Sequence, residues 1–251
     1  MSSIGTGYDL AGSTFSPDGQ CFQVEYAIKA IEHANTGLGL RCKDGVVLAM
    51  EKSIVNTLCM PTSSRRITNV DHHIGFAASG LHPDARALAQ YCVEEAESYF
   101  SENREKVSCK HLADRLSLYV HANTLYGAVR PFGVVVFLSS WSKIDGPQLF
   151  MVEPSGLMYG YQGWAVGKGR QAAKTEIEKL KLADMSCRTA VKEAARILLA
   201  IRDEAKDKNI VMELSWVGEH TNGKHEMVPA KVAEEAQKFA KEALEEDEDK
   251  D

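Results

Sequence analysis

Few groups in this 251-residue chain are spaced for chemistry. Gly167-Lys168-Gly169 stands ahead of a helical pattern, as a phosphate-cradling loop would. It lacks the third glycine and the following lysine–hydroxyl pair, so a strand-to-helix turn is the better reading. The eight histidines suggest no metal set. His72 and His73 are adjacent and on a strand would point to opposite faces. His220 and His225 flank an Asn222-Gly223 hairpin turn and are expected to be exposed. The six cysteines (Cys21, Cys42, Cys59, Cys92, Cys109, Cys187) are scattered, without C-x-x-C or metal-ligand spacing. The expectation is no metal and no cofactor.

The elements that must position any site are organised around Phe15-Ser16-Pro17-Asp18-Gly19-Gln20-Cys21-Phe22-Gln23-Val24-Glu25-Tyr26-Ala27. Pro17 presets the first turn position and Asp18-Gly19 tolerate the bend. Phe22, Tyr26 and Ala30 then recur at helical spacing, which predicts a helix from Gln20 to Ala34. It precedes the first core strand, so its apolar face has two possible uses: docking on a partner or packing on its own sheet.

Ahead of it, residues 1–14 are small, polar and glycine-rich, a tail anchored only by Ile4, Tyr8, Asp9 and Leu10. Behind it, Thr36–Arg41 and Gly45–Met50 read as strands joined at Lys43-Asp44-Gly45. Val46 to Met50 is continuously apolar, as in a strand covered on both faces. Ile74–Ala78 is a further strand. Two helices follow, one begun by Pro83 and one capped by Ser108, as an antiparallel pair. Phe132–Leu138, Gln148–Val152, Leu157–Tyr161 and Trp164–Gly167 return to strand. A second helix pair leads to Val211–Val217, where Met212, Leu214 and Trp216 share a face. Strand blocks and helix pairs alternate in groups, which argues for antiparallel sheets covered by helix pairs.

The domain boundaries are 1–14 for the tail, 15–230 for the main domain and 231–251 for a last segment. That segment holds a lean amphipathic helix over Val232, Ala236, Phe239, Ala240 and Ala243. Residues 245–251 then carry six acids and one lysine. Self-repulsion in such a run favours disorder; it is either a solvated tail or a docking surface for basic partners.

Composition narrows the class. Hydrophobic residues make up 44%, enough for one sizeable core. A net charge of −6 leaves no basic footprint for nucleic acid. No run of about 18 apolar residues is present to cross a membrane. The cysteine usage and the absence of an apolar leader predict a reducing intracellular home.

The Phe15–Ala27 stretch resembles the N-terminal motif of proteasome alpha-type subunits, F-S-P-D/E-G-x-x-x-Q-V/I-E-Y-A, at every fixed position. Gly5 to Leu10 is similar to the family's gate segment. Tyr126 with Arg130-Pro131-Phe132-Gly133 matches its R-P-[FY]-G block. Gln171–Leu180 and Glu213–Glu219 resemble one particular subunit type within the family.

The resemblance implies an α+β fold, the four-layer αββα sandwich of the N-terminal nucleophile hydrolases with an extra N-terminal helix. It implies a non-catalytic, structural and gating subunit, found in the cytoplasm and nucleus, of a complex that degrades proteins in a ubiquitin- and ATP-dependent way. Its partners would be other alpha subunits in a seven-membered ring, beta subunits and activator particles. In related beta-type subunits the nucleophile is an N-terminal threonine whose own amine acts as base. Strand-by-strand alignment puts that position on Asn35, its acidic partner on Glu51 and the catalytic lysine on Ile67. Thr36 is the nearest hydroxyl, yet lies mid-chain with no Gly-Thr junction before it. Tyr8, Asp9, Pro17 and Tyr26 match the family's gate-stabilising cluster, with Leu10 in place of the usual arginine. Phe22 and Tyr26 would serve ring assembly. Arg66 sits where many alpha-type subunits place a lysine that receives activator C-termini; a plain surface arginine is the other reading.

Overall fold

The structure, a computed structural model, describes residues 7–54, 58–60, 63–202 and 210–248. Ile4, expected to anchor the tail, lies outside the described residues. Two five-stranded sheets are stacked face to face, and every neighbouring strand pair is antiparallel.

The first sheet joins β1 (Gly37–Arg41), β2 (Gly45–Ser53), β8 (Gly163–Val166), β9 (Ile210–Gly218) and β10 (Glu226–Met227). Its order is β10-β9-β2-β1-β8. The second joins β3 (Ile67–Asp71), β4 (Ile74–Gly80), β5 (Val134–Ser142), β6 (Gly146–Val152) and β7 (Met158–Gly160) in sequence order.

Each sheet carries helices on its outer face. α2 (His82–Asn103) and α3 (Cys109–Ala122) cover the second sheet. α4 (Arg170–Glu178), α5 (Cys187–Ala200) and α6 (Ala230–Glu248) cover the first. The result is the expected four-layer αββα sandwich, with α1 (Phe22–Glu32) in front of it.

Side-chain alternation explains why β2 reads as unbroken apolar sequence. Val47 and Ala49 face the helices with Ala190, Ala194 and Leu198, whereas Val46, Leu48 and Met50 face the second sheet. There they meet Ile67, Ala77, Phe137 and Met151. Each such side chain removed from water contributes roughly 1.5–3 kcal/mol. The cap expected at Ser108 is present: its Oγ accepts from the His111 N–H at 3.2 Å. Ser186 does the same for Thr189 at 3.3 Å.

Several expectations need correction. β3 is absent from the sequence reading because a bulge between Asn69 and Asp71 breaks its alternation. His72 and His73 lie on no strand; they form the turn between β3 and β4. The two-residue β10 escaped as well. The first helix spans Phe22–Glu32 and is partly a packing element: Phe22, Ala27 and Ile31 are buried, Ile31 between the two sheets. α6 runs to Glu248, into the acidic stretch expected to be disordered. Ala236 and Ala240 anchor it fully buried against α5, and extending an existing helix is far easier than starting one.

Candidate functional site

The position matched to a nucleophile lies where the chain enters β1. Asn35, Glu51, Arg66 and Ser79 line a pocket of about 180 Å³ there. The polar groups around Asn35 and Thr36 are already engaged. The Asn35 carbonyl accepts the Ser79 hydroxyl at 2.6 Å, and its side-chain oxygen accepts Ser53 at 3.0 Å. Thr36 is fully buried; its backbone N–H donates to Glu51 Oε2 at 2.9 Å, and Glu51 N–H returns a bond to the Thr36 carbonyl at 2.8 Å. Thr36 Oγ1 accepts the Gly169 N–H at 3.2 Å.

Gly167-Lys168-Gly169 is therefore the strand-to-helix turn expected, closing on this pocket. The Lys168 N–H donates to the Ala34 carbonyl at 2.9 Å. Gly167 has φ +92° and passes so close that a Cβ would lie 2.4 Å from the Asn35 carbonyl oxygen. Ile67 is buried between the sheets.

Arg66 is half-buried beside them. Its N–H donates to Glu213 Oε2 at 2.7 Å, and Nη1 approaches His82 Nδ1 at 3.4 Å. Burial pushes its guanidinium pKa down while Glu213 opposes the shift. Burial, then the Arg66 charge, lower His82. Glu213 also binds Lys52 at 3.1 Å, a pair held almost out of solvent.

Of the expected gate residues, the fold brings Asp9 and Tyr26 together. Tyr26 Oη donates to Asp9 Oδ2 at 3.4 Å, a long and exposed bond, and the Gln23 amide donates to the Asp9 carbonyl. Partial shielding and the Asp9 carboxylate push the Tyr26 hydroxyl upward. Tyr8 and Pro17 are exposed and take no part in that contact. The strap is held further along, where Cys21 Sγ donates to the Gly12 carbonyl at 2.9 Å. A Cβ on Gly12 would lie 3.6 Å from the Val129 carbonyl and 3.7 Å from Pro131, so the strap lies against the loop before β5.

That loop is the R-P-F-G block. Arg130 grips Asp84 with two bonds of 2.7 and 2.8 Å, and Asp84 also accepts the Gly133 N–H at 2.9 Å. The Arg130 bonds, aided by Gly133 and opposed by burial, hold the Asp84 carboxyl below its usual range.

With this front end, a strap and helix laid before an αββα sandwich, the chain matches known proteins along nearly its whole length. The N-terminal signature of A-type proteasome subunits covers residues 8–30, and the proteasome subunit profile covers 31–217. The chain belongs to the proteasome family. It is an alpha-type member of the core particle, which implies assembly with other proteasome subunits. The proteasome alpha type-3 subunit of Acanthamoeba castellanii is 55% identical over 98% of each chain. The protein of that name from Oryza sativa is 51% identical over 98% of each. A probable proteasome alpha type-7 subunit of Saccharomyces cerevisiae is 46% identical over 99% of this chain and 88% of its own.

Two features of this alpha-type chain ran against its sequence. His225 is buried, not exposed. Its Nδ1 lies 2.7 Å from Asn69 Oδ1, an acceptor, so Nδ1 carries the proton and Nε2 accepts the Ser215 hydroxyl at 2.9 Å. Because Asn69 and Ser215 belong to different sheets, the ring latches the sandwich. Burial pushes its pKa down to about 4. The other feature is a cluster of Asp44, Cys187 and His220, whose ligand atoms lie within 4.8 Å of one another. Spacing along the chain hid it, since each residue comes from a different element.

Proposed function

We propose that the chain is a non-catalytic structural and gating member of a seven-membered alpha ring, seated on the beta ring and engaged by activator particles. In that place it supports ubiquitin- and ATP-dependent degradation by the assembled complex, in the cytoplasm and nucleus. The observation that carries the non-catalytic reading is the bonding around Thr36. A threonine nucleophile needs a base beside its hydroxyl, which in the related peptidases is its own free amine. Here that nitrogen is a peptide N–H spent on Glu51, and the hydroxyl accepts from Gly169. Asn35 is an amide, and Ile67 offers no charge to lower a pKa. The gating role rests on the strap at residues 7–14, tied to α1 through Asp9, Gln23 and Tyr26. Arg66, cationic and lining an open pocket, suits a terminal carboxylate.

The test is a threonine-directed covalent inhibitor applied to purified, assembled particles. Catalytic beta-type chains should be modified and this chain spared. Modification at Thr36 would overturn the non-catalytic reading.

A further inference from the structure

The Asp44, Cys187 and His220 cluster stands at the end of β1 remote from Thr36 and takes no part in the site above. We propose that it binds a single zinc-like divalent cation. The three residues converge from the β1–β2 turn, the first residue of α5 and the 3-10 turn at Glu219–Thr221 after β9. A thiolate, an imidazole and a carboxylate together suit zinc, whereas magnesium or calcium would want oxygen alone.

The surroundings orient the donors. The Cys187 N–H donates to Asp44 Oδ1 at 2.8 Å, and the Glu219 N–H to the Asp44 carbonyl at 2.9 Å, which fixes the turn against both other elements. Trp216 sets the His220 ring edge-on with centroids 4.5 Å apart. Two glycines leave the room: a Cβ on Gly45 would lie 2.8 Å from Cys187 Sγ, and one on Gly218 3.1 Å from His220 Nδ1. The chain supplies three donors, and water can take the fourth position.

Donors around a tetrahedral zinc at bond lengths of about 2.0–2.3 Å are roughly 3.5 Å apart, so the set must close by about an ångström. His220, the exposed member of the set, is the one placed to move inward, along the Trp216 edge. On binding, Cys187 Sγ exchanges its proton for the ion and the proton leaves to solvent. A bound ion would staple the β1–β2 turn, α5 and the end of β9.

The test uses the reduced full-length chain carrying Cys59→Ser, which removes the exposed thiol. Titration with Co2+ should give thiolate-to-metal charge-transfer absorption that saturates at a single equivalent and is bleached by Zn2+. Cys187→Ser should remove most of that band. His220→Ala, an exposed position that leaves the core intact, should weaken affinity at least about tenfold. Absence of the band in the parent chain, or an undiminished band and affinity in the folded His220→Ala chain, would overturn the proposal.

Discussion

Buried and neutral, His225 makes the sandwich sensitive to acid in a predictable window. Its pKa in the fold is about 4 against an ordinary value near 6.5 in the unfolded chain. Between those values the unfolded chain binds a proton that the fold refuses. The stabilisation is therefore complete above about pH 6.5 and is lost progressively as pH falls toward 4. At about pH 4.5 the difference amounts to about 2.5 kcal/mol, and at neutral pH to a few tenths. Protonation would also place a second N–H where Nε2 now accepts from Ser215.

His225→Gln isolates this contribution from every other titrating group. At pH 7 the variant should be less stable by about 1–3 kcal/mol, because Asn69 and Ser215 lose a buried partner. Glutamine does not titrate, so that gap should narrow by about 2 kcal/mol at pH 4.5. Urea unfolding of both full-length chains across this range measures the gap directly. A gap that stays constant with pH would mean that the ring takes up its proton as readily in the fold as in the unfolded chain, and the reasoning would fail.

Other outcomes follow from the same contacts. Gly75→Ala should cost about 1–3 kcal/mol, since a Cβ there would lie 2.2 Å from the His225 ring; thermal melts read it. Asp84→Asn should destabilise by about 1–3 kcal/mol at neutral pH by cutting its bonds to Arg130 and Gly133, and the deficit should shrink in acid as Asp84 itself protonates; denaturation at pH 7 and pH 3 checks both. Asp9→Ala should lower activator-stimulated peptide entry into assembled particles by no more than about fivefold, because the Tyr26 bond is long and exposed. Phe22→Ser should lower the stability of the single chain, whereas Tyr26→Ala should leave it folded; comparing their melts with their yields in assembled particles separates packing from assembly.

Much of this was legible in the chain. β2 declared itself through five consecutive apolar residues, because both of its faces are covered. Ser108 and the paired helices declared themselves through caps and helical spacing. What escaped depends on long-range placement. The bulge at Asn69 erased the alternation by which β3 could be seen. His225 looked exposed because it follows an Asn-Gly turn, and its partners are 10 and 156 residues away in sequence. Because Phe22 precedes the core strands, its sequence position did not show that the single chain already buries it. The charge of the acidic run favours disorder, but the buried Ala236 and Ala240 anchor the helix that it extends.

The central claim, that this alpha-type chain serves without a catalytic centre, depends on Thr36 remaining inside the chain. Intact-mass measurement of this subunit from purified native particles tests that directly. The account predicts a polypeptide that still carries the strap, the first helix and Asn35 ahead of Thr36. A mature chain beginning at Thr36, with a free amine beside its hydroxyl, would contradict it.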